Sequence, residues 1–365
     1  MSKYKNMSDD ELIALKASLE GSISSSNNIQ MALKILANAL YGAISNVGFR
    51  YFELPMAEAI TLTGQVSDKH AAYSVNKAVN KMVGTDDVDY LVACDTDSFY
   101  VNLDPLVQKF FPNKSIEETT AWIDKFCDGV IQPVINKSTD HIFTICNGYE
   151  KLMAAKREAI ASKSLIIKKK RYAMMVHNSE GVEYKPYKLK IMGLDMVKSS
   201  TPKVIRAALK DCLKIMFEDG EAALQEHVTK VKDMFMREKP ENIAFPRGVS
   251  DLNKWTEGVR DGELKSGTPI HVRASIMYNR FKDKSDPPIR NGDKIKFIYL
   301  KMPNPTKQDI IGFPVMGEMP MRDKLIKYID WNLMFEKTFL APLEGLTAAC
   351  GWEHSKTASL EDFFS

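Results

Sequence analysis

Two aspartates, Asp95 and Asp97, stand on either side of a threonine in the stretch ACDTDSFYV, residues 93–101. Apolar runs flank them, so the pair falls at the bend of a strand–turn–strand pattern. In locally extended backbone, residues two apart project to the same side. Carboxylates placed that close repel unless a cation sits between them. A hard ion such as Mg2+ accepts one or two carboxylates together with substrate phosphates and water. The pair therefore reads either as part of a site for metal-assisted phosphoryl chemistry or as turn residues, a role that Asp and Thr also suit.

A second constellation lies upstream, in NIQMALKILANALYGAISNVGFRY, residues 28–51. Lys34, Asn38 and Tyr41 are spaced i, i+4, i+7, and at the α-helical turn angle they cover roughly 60° of one face. Leu33, Leu36, Leu40, Ile44 and Val47 gather on a different face, suited to packing on protein. The polar face offers a cation, an amide and an aromatic ring. A lysine can pair with a triphosphate and give a proton to a departing pyrophosphate. The ring can pack on a base or sugar, and Gly42 leaves room beside it. A plain amphipathic helix with its polar face in water is the alternative.

The third feature is charge. Residues 156–171 hold seven basic residues (Lys156, Arg157, Lys163, Lys168, Lys169, Lys170 and Arg171) against one acid, Glu158. Such a concentration is the electrostatic footprint of a nucleic-acid partner, or else a solvated lysine face.

The elements that must position these residues can be read in outline. Residues 8–20 form a helix opened by a Ser8–Glu11 capping box and ended by Gly21, with a polar link at 22–28. A second helix covers 29–46, a third about 55–81, and 116–145 is helical. KLMAAKREAIA and LIIKKKRYAMMV read as two strands, YKLKIMGLD as another. Thr201 is the expected N-cap of a helix with Pro202 at its first position, and a further helix reaches about Arg237. KPENIAFPRGV reads as a loop, and 268–345 as short strands and two terminal helices. Composition shifts near 198, the best candidate for a domain boundary.

Bulk properties exclude several classes. The chain has 365 residues, 44% hydrophobic and 27% charged, with a formal charge of +3. No apolar run is long enough to span a membrane, and the first residues lack the apolar core of a secretory leader. Five scattered cysteines without a CxxC pair point to a reducing compartment and away from a zinc or iron–sulfur site.

Taken in order, these motifs resemble family B DNA polymerases. KILANALYG resembles their motif B, Lys-x-x-x-Asn-x-x-Tyr-Gly, and DTDS their motif C. KKKRY at 168–172 resembles their primer–template motif. FRYFELPMAEAITLTGQ, KREAI, LKIMG, SSTPK and the tail KTASLEDFF extend the likeness over residues 27–365, and place it in the branch of replicative enzymes of T-even-like phages. Three ordered motifs are far more specific than any one of them.

The resemblance implies an α+β fold forming part of a polymerase right hand. Its parts are a fingers remnant at 1–48, a palm with an antiparallel sheet at 49–197, a mostly helical thumb at 198–350 and a tail at 351–365. It implies that Asp97 and Asp95 hold catalytic Mg2+, two ions shared with a partner chain. Lys34 would contact the incoming dNTP and protonate pyrophosphate, with Asn38 and Tyr41 lining the nascent base pair. Lys169, Lys170, Arg171 and Tyr172 would grip primer–template DNA near its minor groove, where contacts test pair geometry without reading sequence. Lys190 and Gly193 would lie against the duplex backbone. Glu158 would sit in the palm, most simply as a buried acid balancing an arginine. Leu360, Phe363 and Phe364, spaced i, i+3, i+4 in the tail, would enter a groove of a sliding clamp, or else tuck onto the thumb. The site of action would be the cytoplasm of an infected bacterial host.

One part of the family pattern is missing. No DxxSLYP-like segment, the family's motif A with its further metal-binding aspartate, occurs in this chain. Two-metal transfer needs carboxylates that clamp ions about 3.5–4 Å apart, and one bend is a poor candidate to supply them alone. The expectation is half of an active site, completed by an N-terminal polymerase and exonuclease chain. A natural split and a truncated piece both fit, and Met1 with the capped first helix favours the split. A catalytically silent, polymerase-derived DNA-binding module is the alternative function. A chance collection of motifs in an unrelated RNA-binding protein or nuclease is the third.

Overall fold

A 36-residue helix, α1 (Asp9–Ile44), opens the structure, a computed structural model that describes residues 4, 7–95, 97–257 and 264–355. The Ser8–Glu11 capping box is in place. The Ser8 amide donates to Glu11 Oε2 at 2.8 Å, and the Glu11 amide donates to Ser8 Oγ at 3.3 Å. The polar link predicted at 22–28 is not a break, and Gly21 does not end the helix. Ser22 instead donates its hydroxyl back to the Ser18 carbonyl at 3.0 Å, satisfying itself inside the helix.

Two compact units divide the chain, residues 1–113 with 125–156, and residues 114–124 with 157–365. In the first, α1 is followed by α2 (Leu54–Val83), then by the hairpin β1 (Leu91–Asp95) and β2 (Ser98–Val101). α3 (Asp104–Phe110) comes next; α4 (Ile116–Phe126), whose residues up to Asp124 belong to the second unit, leads through a π-turn into α5 (Gln132–Ile145), which is again in the first. α2 buries Ser67, Ala71, Val75 and Val79, four residues apart along one face, and packs on α5 through Ile135, Ser138 and Ile142. No residue of α1 is buried.

The second unit holds the large core. β3 (Ala159–Lys168), β4 (Arg171–Ser179) and β5 (Val182–Met192) form an antiparallel meander. α6 (Lys203–Glu218) and α7 (Glu221–Phe235) follow. Next come α8 (Pro240–Ile243), β6 (Phe245–Gly248), α9 (Leu252–Thr256) and α10 (Ile270–Phe281). β7 (Lys294–Tyr299), β8 (Ile310–Pro314), α11 (Arg322–Leu325), α12 (Trp331–Phe335) and α13 (Ala341–Thr347) complete it. Leu165, Ala173 and Met175 of the meander belong to the same buried cluster as Leu209, Leu213, Phe235, Phe313 and Phe339. The composition shift near 198 is therefore not a break in packing. Gly312 lets β8 lie directly on α10, since a Cβ there would sit 2.8 Å from the Ala274 carbonyl oxygen.

Other local expectations need correction. The first 151–161 strand starts only at Ala159, and the basic run is a hairpin tip: Lys168 pairs with Arg171 across it. KPENIAFPRGV holds α8 and the edge strand β6, where Pro246 is tolerated because no inner ladder needs its amide. Pro202, not Thr201, occupies the N-cap of α6, and Thr201 is buried. Long helices with small antiparallel sheets make this an α+β fold, as the sequence resemblance implied.

Candidate active site

The acidic pair stands at the end of the first hairpin. Asp95 is the last residue of β1 and pairs with Ser98, and the Asp97 amide donates to the Asp95 carbonyl at 2.6 Å. Asp97 thus lies in the turn and Asp95 in the strand, so the extended-backbone argument for their common side does not hold here. What places them in one field is a third acid. Burial, then the charges of Asp97 and Asp95, hold the Asp68 carboxyl above its ordinary range. Asp68 lies on α2, among residues whose inward face carries the hairpin. Cys94 reports the same neighbourhood: its thiol is pushed up by partial burial first, then by Asp68 and Asp89.

Two asparagines one turn apart fix the base of the hairpin. Asn80, 7% exposed, donates to the Val88 carbonyl at 2.7 Å, and accepts from the Val88 amide at 2.9 Å and the Thr85 hydroxyl at 2.8 Å. Asn76 accepts from the Tyr90 amide at 2.8 Å, directly before β1. Tyr90 in turn accepts at its carbonyl from the Asn102 amide, just beyond β2, at 2.8 Å. Both ends of the hairpin are therefore tied to α2 by bonds that are buried or partly buried, where breaking them costs most.

As donors for an ion, these groups fit in kind and fall short in number. Carboxylate oxygens suit a hard divalent cation. Among the described residues, no group of three or more His, Cys, Asp or Glu side chains is arranged to hold one.

Lys34, Asn38 and Tyr41 stand together on an exposed face of α1. The apolar stripe of the same helix is uncovered as well, with Leu33, Leu36 and Leu40 each more than half exposed.

In the second unit the basic motif caps the β3–β4 hairpin. Lys168, Lys169 and Lys170 are exposed, and Lys170 adopts a left-handed φ of 62°. Arg171 is different: it turns inward and pairs with Asp195 at 3.2 Å. Lys190 bonds to Glu158 at 2.5 Å. Glu158 is not the buried partner of an arginine, because its side chain is 59% exposed and its partner is this lysine. The neighbouring Arg157 pairs instead with Asp124. Gly193 lies against the Lys170 carbonyl, within its own unit. Leu360, Phe363 and Phe364 fall outside the described residues.

Sequence reasoning missed Asp68, Asn76 and Asn80. An acid and two amides on a long helix look like surface residues. The only signal among the described residues was their i, i+8 and i+12 spacing on one helix face, with Asp68 about two turns before Asn76.

The signature of DNA polymerase family B matches residues 129–329, more than half of the chain, and the chain belongs to that family. The DNA-directed DNA polymerase of Escherichia phage RB69 is 35% identical over 350 residues, which cover 92% of this chain and 38% of the relative. The DNA-directed DNA polymerase of Enterobacteria phage T4 is 30% identical over 377 residues, which cover 100% of this chain and 42% of the relative. The chain thus spans well under half the length of these curated relatives.

Proposed function

We propose that this chain is the C-terminal part of a replicative, DNA-directed DNA polymerase that acts when joined by a polypeptide carrying the remaining acid ligands. Residues 1–48 serve as fingers, 49–197 as palm and 198–350 as thumb, with the tail at 351–365 docking on a sliding clamp. The observation that carries the reading is the acid hairpin on α2. Asp68 there pays electrostatically for the nearness of Asp97 and Asp95, and an added cation relieves such a cluster.

Asp95 and Asp97 are the residues that would hold Mg2+. Bound there, Mg2+ would supply charge neutralisation for phosphoryl transfer. The chain's own side chains bind and orient. Lys34 donates hydrogen bonds to the triphosphate of the incoming dNTP and passes a proton to the departing pyrophosphate. Asn38 and Tyr41 shape the space for the new base pair. Lys169, Lys170 and Tyr172 hold the primer–template duplex, and the cations make that grip salt-dependent and indifferent to sequence. The uncovered apolar stripes of α1 and α2 favour an additional protein surface against the first unit. That surface belongs to the N-terminal polymerase and exonuclease part.

Both relatives are phage proteins, which favours action inside an infected bacterial cell. Among the described residues no helix is long and apolar enough to cross a membrane. The test is primer extension by this chain alone, and by this chain mixed with a polypeptide matching the uncovered part of the phage relatives. Extension should require both. A mixture that binds duplex but never extends a primer favours the silent DNA-binding module.

A further inference from the structure

The tip of the basic hairpin rests on a small device built from Gly193 and Asp195. Gly193 follows β5 with a left-handed φ of 63°, and a Cβ there would lie 2.1 Å from the Lys170 carbonyl oxygen. Only a glycine permits both the backbone angle and the approach. Met192, the residue before it, pairs with Tyr172 on β4, so the end of β5 runs directly beneath the Lys169–Lys170 turn. Two residues on, Asp195 begins a single 3-10 turn, Asp195–Val197. Its neighbours Leu194 and Met196 are each 1% exposed and belong to the main core, which fixes where Asp195 stands.

Asp195 uses both oxygens. Oδ2 accepts from Arg171 Nη2 at 3.2 Å, and Oδ1 accepts from Lys198 Nζ at 2.9 Å. The Arg171 side chain is 31% exposed and its Nε is buried without an acceptor. A guanidinium held this way is a strut under the hairpin, and its charge is answered inside the unit. Lys168, Lys169 and Lys170 are exposed at the tip.

We propose that Asp195 is a positioning residue for the DNA grip: through Arg171, and beside Gly193, it locks the tip so that Lys169 and Lys170 face the duplex together. This rests on the reading that those lysines bind duplex. The effect has a counter-intuitive sign. Removing an acid from a basic, DNA-facing surface should strengthen duplex binding if charge alone matters. Removing a positioning acid should weaken it.

The experiment uses the full 365-residue chain and two readouts, amide hydrogen exchange of the hairpin and binding of a primer–template duplex by fluorescence anisotropy. Asp195→Asn should speed exchange across residues 165–175 and weaken duplex binding by about five-fold, the worth of one partly exposed ion pair, with the unfolding midpoint nearly unchanged. Asp195→Glu should restore most of both. In a Lys169→Ala, Lys170→Ala background, Asp195→Asn should cost no further affinity. Unchanged hairpin exchange in Asp195→Asn, or tighter duplex binding, overturns the positioning role. A Lys169→Ala, Lys170→Ala chain that binds duplex normally overturns the duplex reading instead, and with it the DNA part of this proposal, while the exchange result still decides whether Asp195 orders the tip.

Discussion

The acid hairpin and the basic hairpin are supported in opposite ways. The acid hairpin, β1–β2, is two strands with no third neighbour among the described residues, tied to α2 through the amides of Asn76 and Asn80. The basic hairpin, β3–β4, belongs to a three-stranded meander whose inner face enters a continuous apolar core. The units around them differ likewise. Most of the large apolar side chains that stay exposed among the described residues belong to the first unit, along α1, α2 and the segment near Leu152. The second unit leaves fewer of its own exposed among the described residues. A hairpin on a self-sufficient core can present a fixed surface without help. A hairpin held by polar bonds on uncovered helices has a defined base and an unfinished surround, which suits the proposal of a site finished by another polypeptide.

The contrast can be broken first by core deletion. Leu209→Ala removes a fully buried side chain of α6 and should cost about 3 kcal/mol of stability. Leu36→Ala, at a position 69% exposed, should change the isolated chain by less than about 0.5 kcal/mol. Urea unfolding measures both. Comparable losses would mean that α1 already packs on something in this chain.

Asn80→Ala sharpens the same comparison from the polar side. It strands the Val88 amide at the base of the acid hairpin and leaves the Val88 carbonyl with the Asn76 side-chain amide at 3.1 Å, at a cost of about 2 kcal/mol. Hydrogen exchange in residues 85–102 should quicken, with the β3–β4 hairpin unaffected. Protection that stays intact would show that the hairpin does not depend on this amide.

The smallest effect concerns Asp68. Its carboxyl is held high by burial and by Asp97 and Asp95, so ionising it opposes folding. A raised folded pKa contributes stability below the unfolded value, and that contribution is lost as pH rises through the folded value. Asp68→Asn should therefore raise the melting temperature at neutral pH. The gain should shrink in acid, where the native aspartate is also protonated. A gain that persists unchanged at acid pH would point to packing rather than charge.

Much of this was legible in the sequence because it was local. The Ser8–Glu11 box, the α2 helix and the strand–turn–strand around Asp95 and Asp97 each follow from a short window. The unbroken α1 was not, since serine and glycine in a helix cost only a fraction of a kcal/mol to about 1 kcal/mol each, and Ser22 recovers part of that through Ser18. The KKKR turn was hidden because Lys170 takes a left-handed conformation usually given to Gly or Asn. Asp68 and Asp195 were invisible for a different reason. Their roles come from what lies across from them, the acid bend in one case and Arg171 in the other, and no window of sequence contains both partners.

The central claim is that the acid hairpin supplies part of an ion-dependent polymerase centre and cannot complete it alone. Primer extension by the reconstituted pair in Mg2+, with native chain and with Asp97→Asn, tests it most directly. The account predicts no extension by this chain alone, extension by the pair, and a loss of about 100-fold or more on Asp97→Asn with duplex binding kept. Extension at full rate by this chain unaided, or undiminished extension by the Asp97→Asn pair, would contradict it.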